Sequence, residues 1–245
     1  MYGFFAVYYR EFLILKRRFP KMMASMSVSP LLYLIAFGYA MGKSVTIHGH
    51  TYMEFLVPGL VAMSSMTRAF AIGSEINISR FYWHIFEEFQ AAPISNISYV
   101  IGETLAGVTR AFFSVGIILM LGLFFGIVLS YDNPLFWLAV FLNSFVFSSL
   151  AVGLAMVVKS HADQAMLTNF VITPMAFLGG TFFPVHRLPV WAQKILFFLP
   201  LTHASKAIRA AAFRTPVTYS SYVLLAIIGM LFFLGAIHCV NRARD

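Results

Sequence analysis

From Pro134 to Val158 the chain reads Pro-Leu-Phe-Trp-Leu-Ala-Val-Phe-Leu-Asn-Ser-Phe-Val-Phe-Ser-Ser-Leu-Ala-Val-Gly-Leu-Ala-Met-Val-Val, without one charged side chain. A helix needs about 20 mostly apolar residues to cross a bilayer, so this stretch predicts a membrane span. Working outward, five more candidates appear, at about 22–42, 53–74, 99–129, 165–183 and 219–240. Composition agrees. Sixty per cent of the 245 residues are hydrophobic and 11% are charged, whereas a soluble domain carries about 25% charge. The predicted fold is an all-α polytopic membrane protein with six transmembrane helices, forming one domain over residues 1–245.

The first 21 residues differ in kind. Phe4, Phe5, Tyr8, Phe12, Leu15 and Phe19 recur at three- and four-residue steps, with Arg10, Glu11, Lys16 and Arg17 between them. This pattern predicts an amphipathic helix lying in the inner membrane interface; a plain basic anchor before span one is the alternative. The stretch lacks a clean apolar core followed by a cleavage site, so it does not read as a secretory signal.

Charge sets the orientation. With both termini inside, Arg10, Lys16, Arg17, Arg18, Lys21, Arg80, Lys159, Arg242 and Arg244 fall on the cytoplasmic side. Lys43, Arg187, Lys194, Lys206, Arg209 and Arg214 fall outside. The net charge of +8 then reflects retention beside anionic headgroups; basic residues scattered among spans do not form a nucleic-acid footprint.

Several chemistries are excluded. Ala40-Met41-Gly42-Lys43-Ser44 resembles the end of a phosphate-binding loop, but position 37 is Phe37 where the first glycine belongs, and no strand precedes it. The chain therefore predicts no ATP hydrolysis of its own. The seven histidines, among them His48, His50, His186 and His203 in two outer loops, show no metal-ligand spacing. The single Cys239 excludes an internal disulfide. No nucleophile sits in a hydrolase elbow. Metal and catalytic residues are expected to be absent.

Three constellations remain. Ionisable residues within spans are costly and face protein or water; Arg68, Glu103 and Arg110 predict a buried polar cluster, either a structural network between spans two and three or a polar lining for substrate. The cytoplasmic loop 75–98 holds Arg80-Phe81-Tyr82-Trp83-His84-Ile85-Phe86-Glu87-Glu88-Phe89-Gln90, with Pro93 ending a short helix. Aromatic anchors beside acids suit a protein partner; an interfacial helix with an aromatic belt is the alternative. Finally, residues 184–218 are too broken to cross and too apolar to be solvated. Gly179 and Gly180 permit a break, Pro184 and Pro189 allow helix starts, and Pro200 interrupts the run. This segment predicts an outer re-entrant or interfacial helical hairpin.

Taken in order, these pieces resemble the type-2 ABC exporter permeases, the membrane subunits of drug, nodulation-factor and polysaccharide exporters. Tyr52-Met53-Glu54-Phe55-Leu56-Val57-Pro58-Gly59 is similar to the family's entry to span two. Phe86-Glu87-Glu88-Phe89-Gln90-Ala91-Ala92-Pro93-Ile94 is similar to its coupling helix. Gly179-Gly180-Thr181-Phe182-Phe183-Pro184, Leu188-Pro189-x-Trp191 and Pro200-Leu201-Thr202 resemble its outer hairpin. The Arg80–His84 stretch is more aromatic than the family pattern.

The resemblance implies a permease subunit in a bacterial inner membrane, moving a lipid-like, amphipathic drug or glycan-type substrate outward. It implies a second permease copy, most simply a homodimer, two cytoplasmic ABC ATPase subunits that hold ATP and Mg, and surrounding lipid. Coupling to the ATPase would fall on Phe81, Trp83, Ile85, Phe86, Glu87, Glu88, Phe89 and Gln90. An ion-coupled secondary transporter and a non-transporting assembly factor are the rival readings; the first wants more mid-span acids than Glu103.

Overall fold

A computed structural model describes residues 3–41, 45–47, 49–83 and 85–244. Gly42, Lys43, Ser44, His48 and His84, on which some expectations rest, lie outside them. The described chain is a bundle of helices with one two-stranded ribbon. Five helical stretches are long and apolar enough to cross a membrane: Gly3–Gly38, Tyr52–Phe81, Asn96–Phe124, Pro134–Val157 and Tyr219–Ala243.

Helix α1 runs from Gly3 to Met41 without interruption, so no break separates the expected interfacial segment from span one. Pro20 and Pro30 lie inside it, where packing against neighbours tolerates the lost backbone bonds. At 1.5 Å per residue it is about 58 Å long, nearly twice the hydrocarbon thickness of about 30 Å. Its first half lies along α5 (Asn96–Phe124). Val7 meets Gly102, and the Tyr8 and Thr109 hydroxyls are 3.1 Å apart.

A short antiparallel ribbon of β1 (Thr46–Ile47) and β2 (His50–Thr51) leads into α2 (Tyr52–Phe70). Thr51 and Glu54 cap α2 reciprocally: the Glu54 carboxylate accepts from the Thr51 N–H at 2.7 Å while the Thr51 hydroxyl accepts from the Glu54 N–H. This satisfies two backbone donors that a helix start would leave orphaned. After a turn at Ala71 the helix continues as α3 (Ile72–Phe81). The sequence places a loop from residue 75; the structure keeps it helical to Phe81, where Asn77 and Arg80 find partners on neighbouring helices. Asn77 donates to Gln164 at 3.2 Å, and Arg80 to the carbonyls of Ala155 and Met156.

Helices α5 and α6 (Pro134–Val157) form the centre with α2. Between apolar helices in lipid, close packing and interhelical hydrogen bonds replace the hydrophobic effect. Asn143 Nδ2 donates to the Ala62 carbonyl at 3.0 Å and to Ser65 Oγ at 2.8 Å; Ser148 Oγ donates to the Thr104 carbonyl at 2.9 Å.

The expected fifth span is a composite. The sequence predicts a tight polar turn over Lys159-Ser160-His161-Ala162-Asp163-Gln164; in the structure Ser160 caps α7 (His161–Leu167), so most of that stretch is a helix start. A π-helical turn over Thr168–Ile172 joins it to α8 (Thr173–Leu178). Pro174 follows that turn and cannot donate a backbone bond, which accounts for the local widening. The last helix, α11 (Tyr219–Arg244), packs on α6.

Between α8 and α11 lie two further helices. Helix α9 (Val190–Phe197) buries only Leu196 among its residues. Helix α10 (Pro200–Ala212) is buried against α2, α6 and α11. Gly180, at φ 86°, turns the chain into this segment, in a region that glycine alone enters freely. At Gly59 on α2, the Thr181 carbonyl sits where a Cβ would be. Gly59→Ala is therefore expected to push the 179–183 turn off α2 and cost about 1–3 kcal/mol; a detergent thermal melt measures it, with Gly235→Ala for comparison, where a Cβ meets nothing within 4 Å.

Candidate functional site

Helix α4 (Ile85–Ala91) follows α3 across a short connection. Its aromatic residues divide by direction. Phe86 and Phe89 turn inward, their rings 5.6 and 5.4 Å from that of Tyr99 on α5. Arg10 of α1 lies 5.4 Å from the Phe89 ring, and Arg80 lies 5.3 Å from Phe81 and 5.6 Å from Phe86. Ring contacts hold α4 to α5, and cation–aromatic contacts hold it to α1 and α3. Tyr82 and Trp83, by contrast, are 67% and 52% exposed, and Glu88 is exposed beside them. Ile85 is partly buried. Glu87 and Gln90 belong to α4, but their side chains lie outside the described part of the structure. Sequence reasoning grouped the aromatics as one surface; the fold separates two that anchor α4 from two that face outward. Tyr82, absent from the expected set, joins Trp83.

The ionic cluster also differs in membership. Arg110 on α5 is 3% exposed. Its Nη2 donates at 2.8 Å to Glu11 Oε2 on α1 and at 2.8 Å to Glu75 Oε2 on α3, and Nη1 pairs with Glu75 Oε1. Arg10 also bonds Glu11, at 2.7 Å. Glu103 is 2% exposed nearby, with Oε2 unpartnered. Arg68 is not brought to this cluster. It points toward α1, donating to the Ser25 carbonyl at 3.0 Å. Glu11 and Glu75 take the places that the sequence offered to Arg68. One guanidinium thus ties three helices, and Glu75 lies on the helix that leads into α4.

A second polar node forms where α10 meets the start of α2 and the 179–183 turn. Arg209 on α10 donates to the Gly180 carbonyl at 3.0 Å and lies 3.8 Å over the Phe55 ring. Tyr52 donates to the Phe182 carbonyl at 2.9 Å, and Ser205 to the Gly179 carbonyl at 2.7 Å. A Cβ at Gly179 would press on Leu201. Pro189 and Pro200 stand at the starts of α9 and α10, and Pro184 and Leu188 bracket a single 3₁₀ turn. Trp191 is 69% exposed. His203 bonds the Phe197 carbonyl and His50 stacks on Phe213, so both rings are engaged in packing.

Comparison with known proteins places this arrangement. A family model described as "ABC-2 type transporter" matches residues 2–213. Similar proteins include "Inner membrane transport permease YadH" of Escherichia coli strain K12, 29% identical over 184 residues, covering 74% of this chain and 72% of that one. "Nodulation protein J" of Rhizobium leguminosarum bv. viciae is 29% identical over 222 residues, covering 86% and 83%. The protein of that name in Rhizobium meliloti strain 1021 is 29% identical over 228 residues, covering 89% and 84%.

Proposed function

The chain belongs to the ABC-2 type transporter family, whose members are membrane permease subunits, and from that premise we propose that it carries a lipid-like or amphipathic substrate outward on energy from a separate ABC ATPase. The observation that carries this reading is the construction of α4. Phe86 and Phe89 hold the helix on the bundle, while Tyr82, Trp83 and Glu88 stand free for a partner. Aromatic residues in such positions supply most of an interface's affinity, and charges at its rim set approach and register.

The mechanism is a population shift between inward- and outward-open arrangements. ATP-driven closure of two ATPase subunits pushes α4. The push reaches α5 through Tyr99, and α1 through Arg10. It reaches all three helices again through the Glu75–Arg110–Glu11 bridge. The chain crosses the inner membrane six times in this reading, with α7 and α8 together making the fifth crossing and α9–α10 re-entering from outside. Both termini are cytoplasmic. A second copy of the permease covers the apolar face formed by the later part of α1 and by α7–α8, where Leu32 and Phe170 are exposed.

Reconstitution tests the assignment. Vesicles holding the chain and its ATPase are expected to move a fluorescent amphipathic lipid across the membrane with ATP, and to stop with vanadate. Transport that instead follows a proton gradient without ATP would favour the secondary transporter. The rim charge gives a finer prediction. Glu88→Lys is expected to slow ATPase association several-fold at low salt, with the difference vanishing near about 1 M salt, where charges are screened beyond about 3 Å. Stopped-flow or biolayer rates measure both conditions.

A further inference from the structure

A groove of about 690 Å³ runs between α1, α5 and α6. Leu15, Phe19 and Met26 line it from α1, Phe113 and Gly116 from α5, and Trp137 from α6. Thr109 also lines it. Its hydroxyl is engaged, donating to the Leu105 carbonyl and meeting Tyr8. The cavity therefore offers no free hydrogen-bonding handle to a polar ligand.

Two cations stand beside it on α1. Lys16 and Arg18 are both exposed, and neither makes an ion pair among the described residues. At 3.6 residues per turn they project about 80° to either side of the apolar stripe that faces the groove. They flank the groove near Leu15, and Trp137 lines it from α6. From Leu15 to Met26 the helix rises about 16 Å, roughly half of the hydrocarbon thickness. A groove one leaflet long, apolar inside and flanked by two cations near Leu15, matches one class of molecule. We propose that it seats an acyl chain of an anionic phospholipid, with the phosphate held between Lys16 and Arg18 and the chain end against Trp137. The inference rests on the groove itself and is independent of the transported substrate.

Trp137 reports occupancy. The chain has three tryptophans, and Trp83 and Trp191 are exposed, so Trp83→Phe with Trp191→Phe leaves Trp137 as the single emitter. The full chain is placed in nanodiscs containing phosphatidylglycerol or phosphatidylcholine brominated near the chain end. Two cations near a headgroup predict a preference on the order of tenfold for the anionic lipid, read as the mole fraction giving half-maximal quenching. Lys16→Gln with Arg18→Gln should bring the two lipids within about twofold. Gly116→Leu gives a second check. A Cβ there meets nothing within 4 Å, so the side chain fills the groove without displacing its walls, and quenching by both lipids should fall. Equal quenching by the two lipids in the unneutralised protein would overturn the proposal in favour of ordinary surrounding lipid. No quenching by either would overturn it in favour of a groove covered by protein, such as a second copy of the chain. Undiminished quenching in Gly116→Leu would place the lipid elsewhere and overturn it as well.

Discussion

Replacing Arg110 with alanine is expected to destabilise the folded chain by about 3–5 kcal/mol, the cost of leaving a buried charge without its partner. The geometry gives the reason. Arg110 and Glu11 are both nearly inaccessible, and their 2.8 Å contact is closed to solvent. Without the guanidinium, Glu11, Glu75 and Glu103 crowd one region with only Arg10 to offset them. Arg110→Lys should recover part of the loss, since it restores the charge but not the fork that serves Glu11 and Glu75 together. Arg68→Ala should cost far less, about 1 kcal/mol, because Arg68 gives up a single hydrogen bond to a carbonyl. Thermal unfolding in one detergent ranks the three. Equal losses for Arg68→Ala and Arg110→Ala would show that the bridge between α1, α3 and α5 carries no special weight.

The second large effect belongs to Trp83. Trp83→Ala is expected to weaken binding of the ATPase subunit by about 2 kcal/mol or more, on the order of thirtyfold, as for a central aromatic in a protein interface. The stability of the isolated permease should stay within about 0.5 kcal/mol, because Trp83 is 52% exposed at the surface. Phe89→Ala should behave in the opposite way. It removes contacts with Tyr99 and Arg10, so permease stability falls first and coupling falls with it. Measuring affinity and melting temperature together separates the docking residue from the anchoring one.

Much of the membrane architecture was legible because spans announce themselves by uncharged runs, as at 134–158. The extension of α3 to Phe81 was not. Glu75, Asn77 and Arg80 look like loop residues until Arg110, Gln164 and the end of α6 are seen to meet them. These partners lie far away in sequence. The same blindness placed Arg68 in the ionic cluster. Similar depth on antiparallel helices suggested proximity, but side-chain direction decides contact, and Arg68 faces α1. Glu11 carried a signal that could have been used: it falls four residues after Val7 and four before Leu15, on the buried stripe of α1 rather than its exposed face. The division between outward Tyr82 and Trp83 and inward Phe86 and Phe89 on α4 was hidden because the inward pair finds Tyr99 only in three dimensions.

The central claim is that Tyr82, Trp83 and α4 receive the thrust of an ATPase subunit. Cross-linking tests it most directly, since Cys239 is the only cysteine and Cys239→Ser clears the background. Trp83→Cys and, as a control on α9, Trp191→Cys are each labelled in native membranes with a benzophenone maleimide and irradiated, so that the adduct needs no cysteine on the partner. The predicted result is an adduct at position 83 that carries an 8-azido-ATP-labelled subunit, with none at 191. Labelled adducts at both positions, or at neither, would contradict the account.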